Sequence, residues 1–168
     1  MSKNKVADRE VVRQFRKRNP EYTAWQNLFD RCFKTDLPYY HRYGGRGIKP
    51  CIGLNTFDGF IAGVGRRPSN KHTLDRIDND GGYWCGRCPE CVLNGWPLNM
   101  RWATRKEQAR NTRNNRMISW NGRTQCLAAW AEELGISGDG LHFRIQRHGL
   151  ELAMTMRGRV PVKDFQGR

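Results

Sequence analysis

The chain has 168 residues, enough for one domain or two small ones, and 30 Lys and Arg against 16 Asp and Glu give it a formal net charge of +14. Leu, Ile, Val and Phe make only 32 residues, a fraction typical of disorder at such charge, but 18 aromatics and 6 cysteines exclude that reading. The absence of an apolar run of about 18 residues excludes a membrane span. The basic start, Met1 to Arg18, predicts no secretory signal and a cytoplasmic protein.

Small, core-poor modules of this kind need support from a metal or a partner. The charge indicates the partner: neutralising phosphates releases counterions, which favours nucleic acid. Arg outnumbers Lys 22 to 8, and a planar guanidinium grips phosphate or guanine in a bidentate manner.

Residues 1–20 form a basic arm that ends in the turn signal Asn19-Pro20. Tyr22, Trp25, Leu28, Phe29 and Cys32 recur at three and four, predicting an amphipathic helix from Glu21 to Phe33. Tyr39 to Ile48 interleaves Tyr, Arg and Gly, and Arg46 there is a candidate contact to a sugar–phosphate strand. Asn55 to Val64 reads as a short helix. His72 to Asp78 reads as a strand, Asn79 to Gly82 as a turn, Asn99 to Trp102 as a returning strand and Ala103 to Asn111 as a helix.

Between the strands, Cys85, Cys88 and Cys91 stand at CxxCxxC spacing. In a reducing compartment such thiols meet metal before disulfide. A closed tetrahedral zinc site needs a fourth ligand, and Cys51 or Cys32 are the first candidates, His41 or His72 the weaker ones. Cys126, on the apolar side of a helix, reads as core.

From Met117 a second unit begins. Asn121-Gly122 predicts a tight hairpin, Gln125 to Leu134 a helix stopped by Gly135, and Ser137 the cap of a second helix reaching about His148. Two helices on a short Gly-containing turn make a helix-turn-helix pattern, whose second helix would offer His142, Arg144, Arg147 and His148 to a groove. A purely structural helical hairpin fits the same pattern. The stretch from Arg101 through Arg105, Arg110 and Arg113 to Arg116 has Glu107 as its only acid, and reads as a backbone-holding surface. Residues 157–168 read as a basic tail.

Asp75, Asp78 and Asp80 fall within six positions of a chain poor in acids. Asp78 and Asp80, beside Asn79 and two glycines, suit a turn. Asp75 lies between Leu74 and Ile77 and needs a partner, either an arginine or a cation.

His72 to Tyr83, followed by Asn99-Met100-Arg101-Trp102-Ala103-Thr104 and Glu107 to Asn111, closely resembles the HNH endonucleases of phages, in the His-Me finger or ββα-metal class. Arg31-Cys32 and Tyr43 to Ile48 resemble the N-terminal part of that group, and Ser119 to Ile145 is similar to the helix-turn-helix of intron-encoded homing endonucleases. The resemblance covers roughly residues 21 to 150. It implies an α+β fold with a ββα-metal nuclease core over 21–116 and a helix-turn-helix module over 117–156. It also implies a phage-encoded enzyme of the host cytoplasm that hydrolyses phosphodiesters of double-stranded DNA, acting as monomer or homodimer. On this resemblance Asp75 is the strand ligand of one Mg²⁺ or Mn²⁺ ion, Asn99 braces the loop, and Gln108 is the helix ligand, with Asn111 its rival. The usual His after the strand Asp is here Arg76, which cannot act as a base but can hold the phosphate. The base then falls to Tyr83, as in a variant of the class, or to His72. A non-catalytic DNA-binding protein, a decayed nuclease or a repressor, is the alternative. A zinc-bound RNA or ribosome accessory factor explains the charge and the cysteines but not Asp75, Asn99 and the helix together.

Overall fold

The computed structural model describes residues 3–156, with side chains from residue 9 onward; the expected basic tail, 157–168, lies outside them. The fold is α+β, with helices around two small antiparallel two-stranded sheets. The chain divides into two compact units between Asn111 and Thr112. Among the described residues no helix is long and apolar enough to cross a membrane.

The first unit opens with α1 (Lys3–Arg18) and α2 (Glu21–Phe33). Asn19-Pro20 separates them because proline lacks the N–H that would continue the ladder. The three–four spacing of α2 buries Leu28 and Cys32, and Trp25 Nε1 donates to Leu54 O at 2.8 Å. Phe15, Tyr22, Trp25 and Phe57 meet edge-on or tilted beside this helix. Glu21, 4 % exposed, accepts from Arg67 N and from Arg66 at 3.1 and 3.3 Å. Burial alone would raise its pKa, but its own backbone N–H, that of Arg67 and the Arg66 guanidinium outweigh burial and hold the carboxyl below its ordinary value. The predicted helix at 55–64 is α3 (Phe57–Val64), capped by Thr56 and preceded by a 3₁₀ turn, Ile52–Leu54.

Strand β1 (His72–Asp75) pairs with β2 (Arg101–Thr104), setting Asp75 opposite Arg101 and Thr73 opposite Ala103. Asn99 accounts for where β1 ends and where β2 begins. Asn99, 2 % exposed, accepts from Asp78 N at 2.6 Å and donates to Asp78 O and Gly82 O at 3.0 and 2.7 Å. These bonds fold residues 78–82 into a turn, so β1 stops at Asp75 and β2 starts only after Asn99. Between the strands lies α4 (Pro89–Asn94). After β2, Thr104 and Glu107 form a reciprocal capping box that starts α5 (Arg105–Arg110). The core of this unit joins Leu28, Leu54, Phe60, Leu74, Tyr83 and Met100 with the cysteines.

The second unit begins with the hairpin of β3 (Met117–Trp120) and β4 (Arg123–Cys126). Its turn places Asn121 at φ 47° and Gly122 at φ 72°, left-handed positions that these two residues tolerate best. Helices α6 (Leu127–Glu133), α7 (Gly138–His148) and α8 (Leu150–Thr155) follow. Ser137 caps α7 by accepting from Gly140 N. Trp130, Ala131, Leu141, Ala153 and Met154 form the core with Ile118, and Trp130 Nε1 donates to Ile118 O at 2.9 Å.

Candidate functional site

The first cluster is built of sulfur. Cys51, Cys85, Cys88 and Cys91 are buried, and their Sγ atoms all lie within 4.8 Å of one another. Cys85 Sγ and Cys91 Sγ are 4.0 Å apart, close to the roughly 3.8 Å edge of a tetrahedron with Zn–S bonds near 2.3 Å. Backbone N–H groups already point at the sulfurs: Cys85 N donates to Cys51 Sγ and Cys88 N to Cys85 Sγ, each at 3.3 Å. An all-thiolate set selects a soft cation, so the cluster could hold a metal ion such as zinc. Burial pushes the Cys51 thiol up. At Cys88 burial acts in the same direction but is outweighed by N–H and thiol donors, which bring the group down to about 7.

The local chain explains this convergence. Gly53 packs so tightly that a Cβ there would stand 2.8 Å from Cys88 Cβ and 2.9 Å from Cys85 Sγ. Only glycine lets the 51–54 turn approach the sulfurs. Glu90 Oε2, on α4, accepts from Ile52 N at 2.6 Å and ties that turn to the Cys-rich loop. Cys51 thus supplies the fourth thiol. Cys32, the other candidate, is not a member of the cluster: it is buried in the α2 core, where burial, opposed by Arg76 and Arg31, lifts its pKa to about 11. His41 meets Arg42 and His72 meets Ser69 instead.

The second feature is a polar cleft of about 140 Å³ lined by Asp75, Arg76, Tyr83 and Gln108 together with Arg31, Tyr43, Thr73, Leu74 and Asn79. Asp75 Oδ2 accepts from Arg101 Nε and Nη2 and from Asn111 Nδ2, each at 3.1 Å. Asn111, just past the end of α5, also donates to Arg76 O at 2.5 Å. Gln108 turns elsewhere, with Nε2 donating to Thr73 Oγ1 and O and to Ala103 O. The α5-side group in contact with the strand carboxylate is therefore Asn111, not Gln108. The cause is register: Gln108 faces Thr73, two residues back along β1 on the same side of the strand, whereas Asn111 extends to the strand's end.

Arg76 is 6 % exposed. Its guanidinium lies 5.2 Å from the Tyr43 ring centre and 5.4 Å from that of Tyr83, and Nη1 donates to Gly81 O at 3.3 Å. Arg31, from α2, stands 5.3 Å from the same Tyr43 ring. Burial pushes the Tyr83 phenol above its ordinary pKa and outweighs the opposing pull of Arg31 and Arg76. His72 Nδ1 sits 2.9 Å from Ser69 Oγ, one residue out of phase with Thr73 and Asp75, and does not line the cleft. The Arg31-Cys32 resemblance carries no role for the arginine, which in the sequence is one polar position of an amphipathic helix. The partial signal was Tyr43, in the Tyr- and Arg-rich stretch.

Other expected contacts have different places. Arg46 pairs with Asp80 at 2.7 Å and donates to Asn79 O and Arg42 O, so its charge secures the 78–82 turn. Arg101 is committed to Asp75. Arg105 and Arg147 are exposed, and Arg110 and Arg113 have partners within the fold. Arg116 Nη1 meets His142 Nδ1 at 2.9 Å. Arg144 corrects the expectation for the second helix: it is 5 % exposed and donates to Met156 O at 3.1 Å, because its position on α7 faces α8.

No protein-family model, no curated protein and no solved structure matches this chain.

Proposed function

We propose that this chain is a metal-dependent DNA endonuclease of the HNH, ββα-metal class. The observation that carries the reading is the meeting of Asn111 with Asp75, at 3.1 Å, beside the cleft that Asp75 lines with Arg76 and Tyr83. Half a turn of the Asn111 amide would set its Oδ1 beside Asp75 Oδ2, where Nδ2 now stands. Two oxygens about 3 Å apart are what neighbouring ligands of an octahedral ion with 2.1 Å bonds require. The donor set is hard and anionic, which fits Mg²⁺ or Mn²⁺, and the partners for the rest of the coordination shell are phosphate and water. When bound, such an ion would neutralise charge on the scissile phosphate and on the leaving 3′ oxygen.

The chain's own residues do the remaining work in this reading. Arg76, fixed between two tyrosine rings, holds the phosphate as charge builds on it. Asn99 keeps the 78–82 turn in shape, and so positions Tyr83 against Arg76. Tyr83, of the two candidate bases, is the one in the cleft. In this reading the Tyr83 phenolate takes a proton from water, the water oxygen bonds to phosphorus as the P–O3′ bond breaks, and the leaving 3′ oxygen takes a proton from solvent, giving 5′-phosphate and 3′-hydroxyl ends. The +14 charge and the exposed arginines supply duplex attraction, and the four-thiol cluster holds zinc that staples the loop between the strands. A plasmid-nicking assay tests this: cleavage with Mg²⁺ or Mn²⁺ that is lost in Asp75→Ala supports it. No cleavage with any divalent ion favours the second reading, a non-catalytic DNA-binding protein. That reading draws support from the ion pair that Arg101 already makes with Asp75.

A further inference from the structure

Arg76 is a buried cation without a counter-charge. Among the described residues neither Arg76 nor Arg31 forms an ion pair, and the hydrogen bond from Arg76 goes to a neutral carbonyl, Gly81 O. The carboxylate nearest in sequence, Asp75, is neutralised by Arg101. Both guanidiniums nevertheless stand against one ring, Tyr43, at 5.3 and 5.2 Å, and both line the same 140 Å³ cleft. Taking a guanidinium out of water is costly unless something pairs with it. Aromatic faces offset part of that cost, yet two like charges around one ring still repel.

We propose that Arg31 and Arg76 form a clamp for a single phosphate group of a nucleic-acid strand, one that works without any divalent ion. An oxyanion between them would cancel the repulsion and accept the parallel N–H pairs that guanidinium offers. Tyr43 fixes both planes, and the cleft is of a size for one tetrahedral group with a few waters, not for a base. Arg31 comes from α2, outside the β1–β2–α5 segment, so the strand would be held by a group independent of Asp75 and Asn111. This deepens the endonuclease reading, on which it rests only for the identity of the strand.

The test uses the full chain loaded with zinc, in buffer without Mg²⁺ or Mn²⁺. Inorganic phosphate is titrated while the Nε–H signals of the arginine side chains are followed by NMR, and a short DNA duplex is titrated in parallel. Phosphate should move the Arg31 and Arg76 signals, and Arg31→Gln or Arg76→Gln should weaken it about tenfold, the value of one charge-assisted hydrogen bond. Lys34→Gln, at the end of the same helix, should leave phosphate binding unchanged. Should Arg76→Gln misfold, Arg31→Lys serves in its place: charge is kept and the bidentate grip is lost, so affinity should again fall. Phosphate binding indifferent to Arg31 and Arg76, or present only with added Mg²⁺, overturns the clamp. Phosphate binding that depends on both arginines while duplex affinity does not overturns the nucleic-acid source. A chain that never nicks DNA but passes these titrations loses the endonuclease reading alone.

Discussion

Cys51 and Tyr83 are joined backbone to backbone: Cys51 N donates to Tyr83 O at 2.9 Å, while Tyr83 N donates to Lys49 O at 2.9 Å. One residue of that pair belongs to the sulfur cluster and the other to the polar cleft. Whatever sets the cysteines in place therefore also sets the phenol that walls Arg76.

Metal removal should then be felt in the cleft. Chelation, or Cys51→Ser, is expected to lower the melting temperature, since a structural zinc contributes folding free energy directly. It should also broaden the NMR signals of Tyr83 and Arg76. Because protons compete with metal for thiolates, and the Cys88 thiol is brought down to about 7, metal affinity should drop as pH falls through that region. Metal content measured against pH checks the sign: retention of metal at pH 5 with undiminished affinity would contradict it.

Gly53→Ala offers a subtler probe of the same centre. Its new Cβ would press on Cys88 Cβ and Cys85 Sγ, both of them tightly held. Support groups of this kind typically cost about 10- to 100-fold in metal affinity when disturbed. A competition titration with a zinc indicator should show a loss of that order, with the four thiols still present.

Asn111→Ala and Gln108→Ala separate the two candidate ligands from the end of α5. If Asn111 shares the ion with Asp75, its loss should raise the Mg²⁺ concentration needed for half-maximal nicking by an order of magnitude or more. Gln108→Ala should leave that concentration nearly unchanged and cost mainly the tie between α5 and Thr73. The reverse pattern would return the role to Gln108.

How far the sequence carried these conclusions depends on what kind of signal each residue left. Local signals read well: the three–four spacing of α2, the Asn121-Gly122 turn, the Ser137 cap and the CxxCxxC thiols each act over a few residues. What depends on distant partners did not read. Cys32 and Cys51 are equally plausible thiols in a string, and only the close packing at Gly53 distinguishes them. Gln108 and Asn111 differ by one helical turn, and the end of β1, set by Asn99, decides between them. Arg144 looked like a groove contact because α8, which covers it, has no strong periodic pattern of its own.

The burial of Arg144 gives its own prediction. Arg144→Ala should destabilise the second unit by roughly 1–3 kcal/mol, the cost of losing a charge-assisted bond to Met156 O in a covered position. Arg147→Ala, exposed on the same helix, should leave the melting temperature unchanged and weaken duplex binding, more at low salt than at high. Melting curves and salt-dependent binding on both variants would show whether the two arginines divide in this way.

The final prediction concerns the pH profile of cleavage. A tyrosine that takes a proton from water must first be deprotonated, so the rate rises with pH until the phenol's pKa is passed. Burial places that pKa above the ordinary tyrosine value, despite Arg31 and Arg76. If Tyr83 is the base, the rate should still be climbing in the alkaline range, and Tyr83→Phe should flatten the climb. A profile that levels off near pH 7 and is unaltered in Tyr83→Phe would point to an imidazole, and His72→Ala would then have to abolish it.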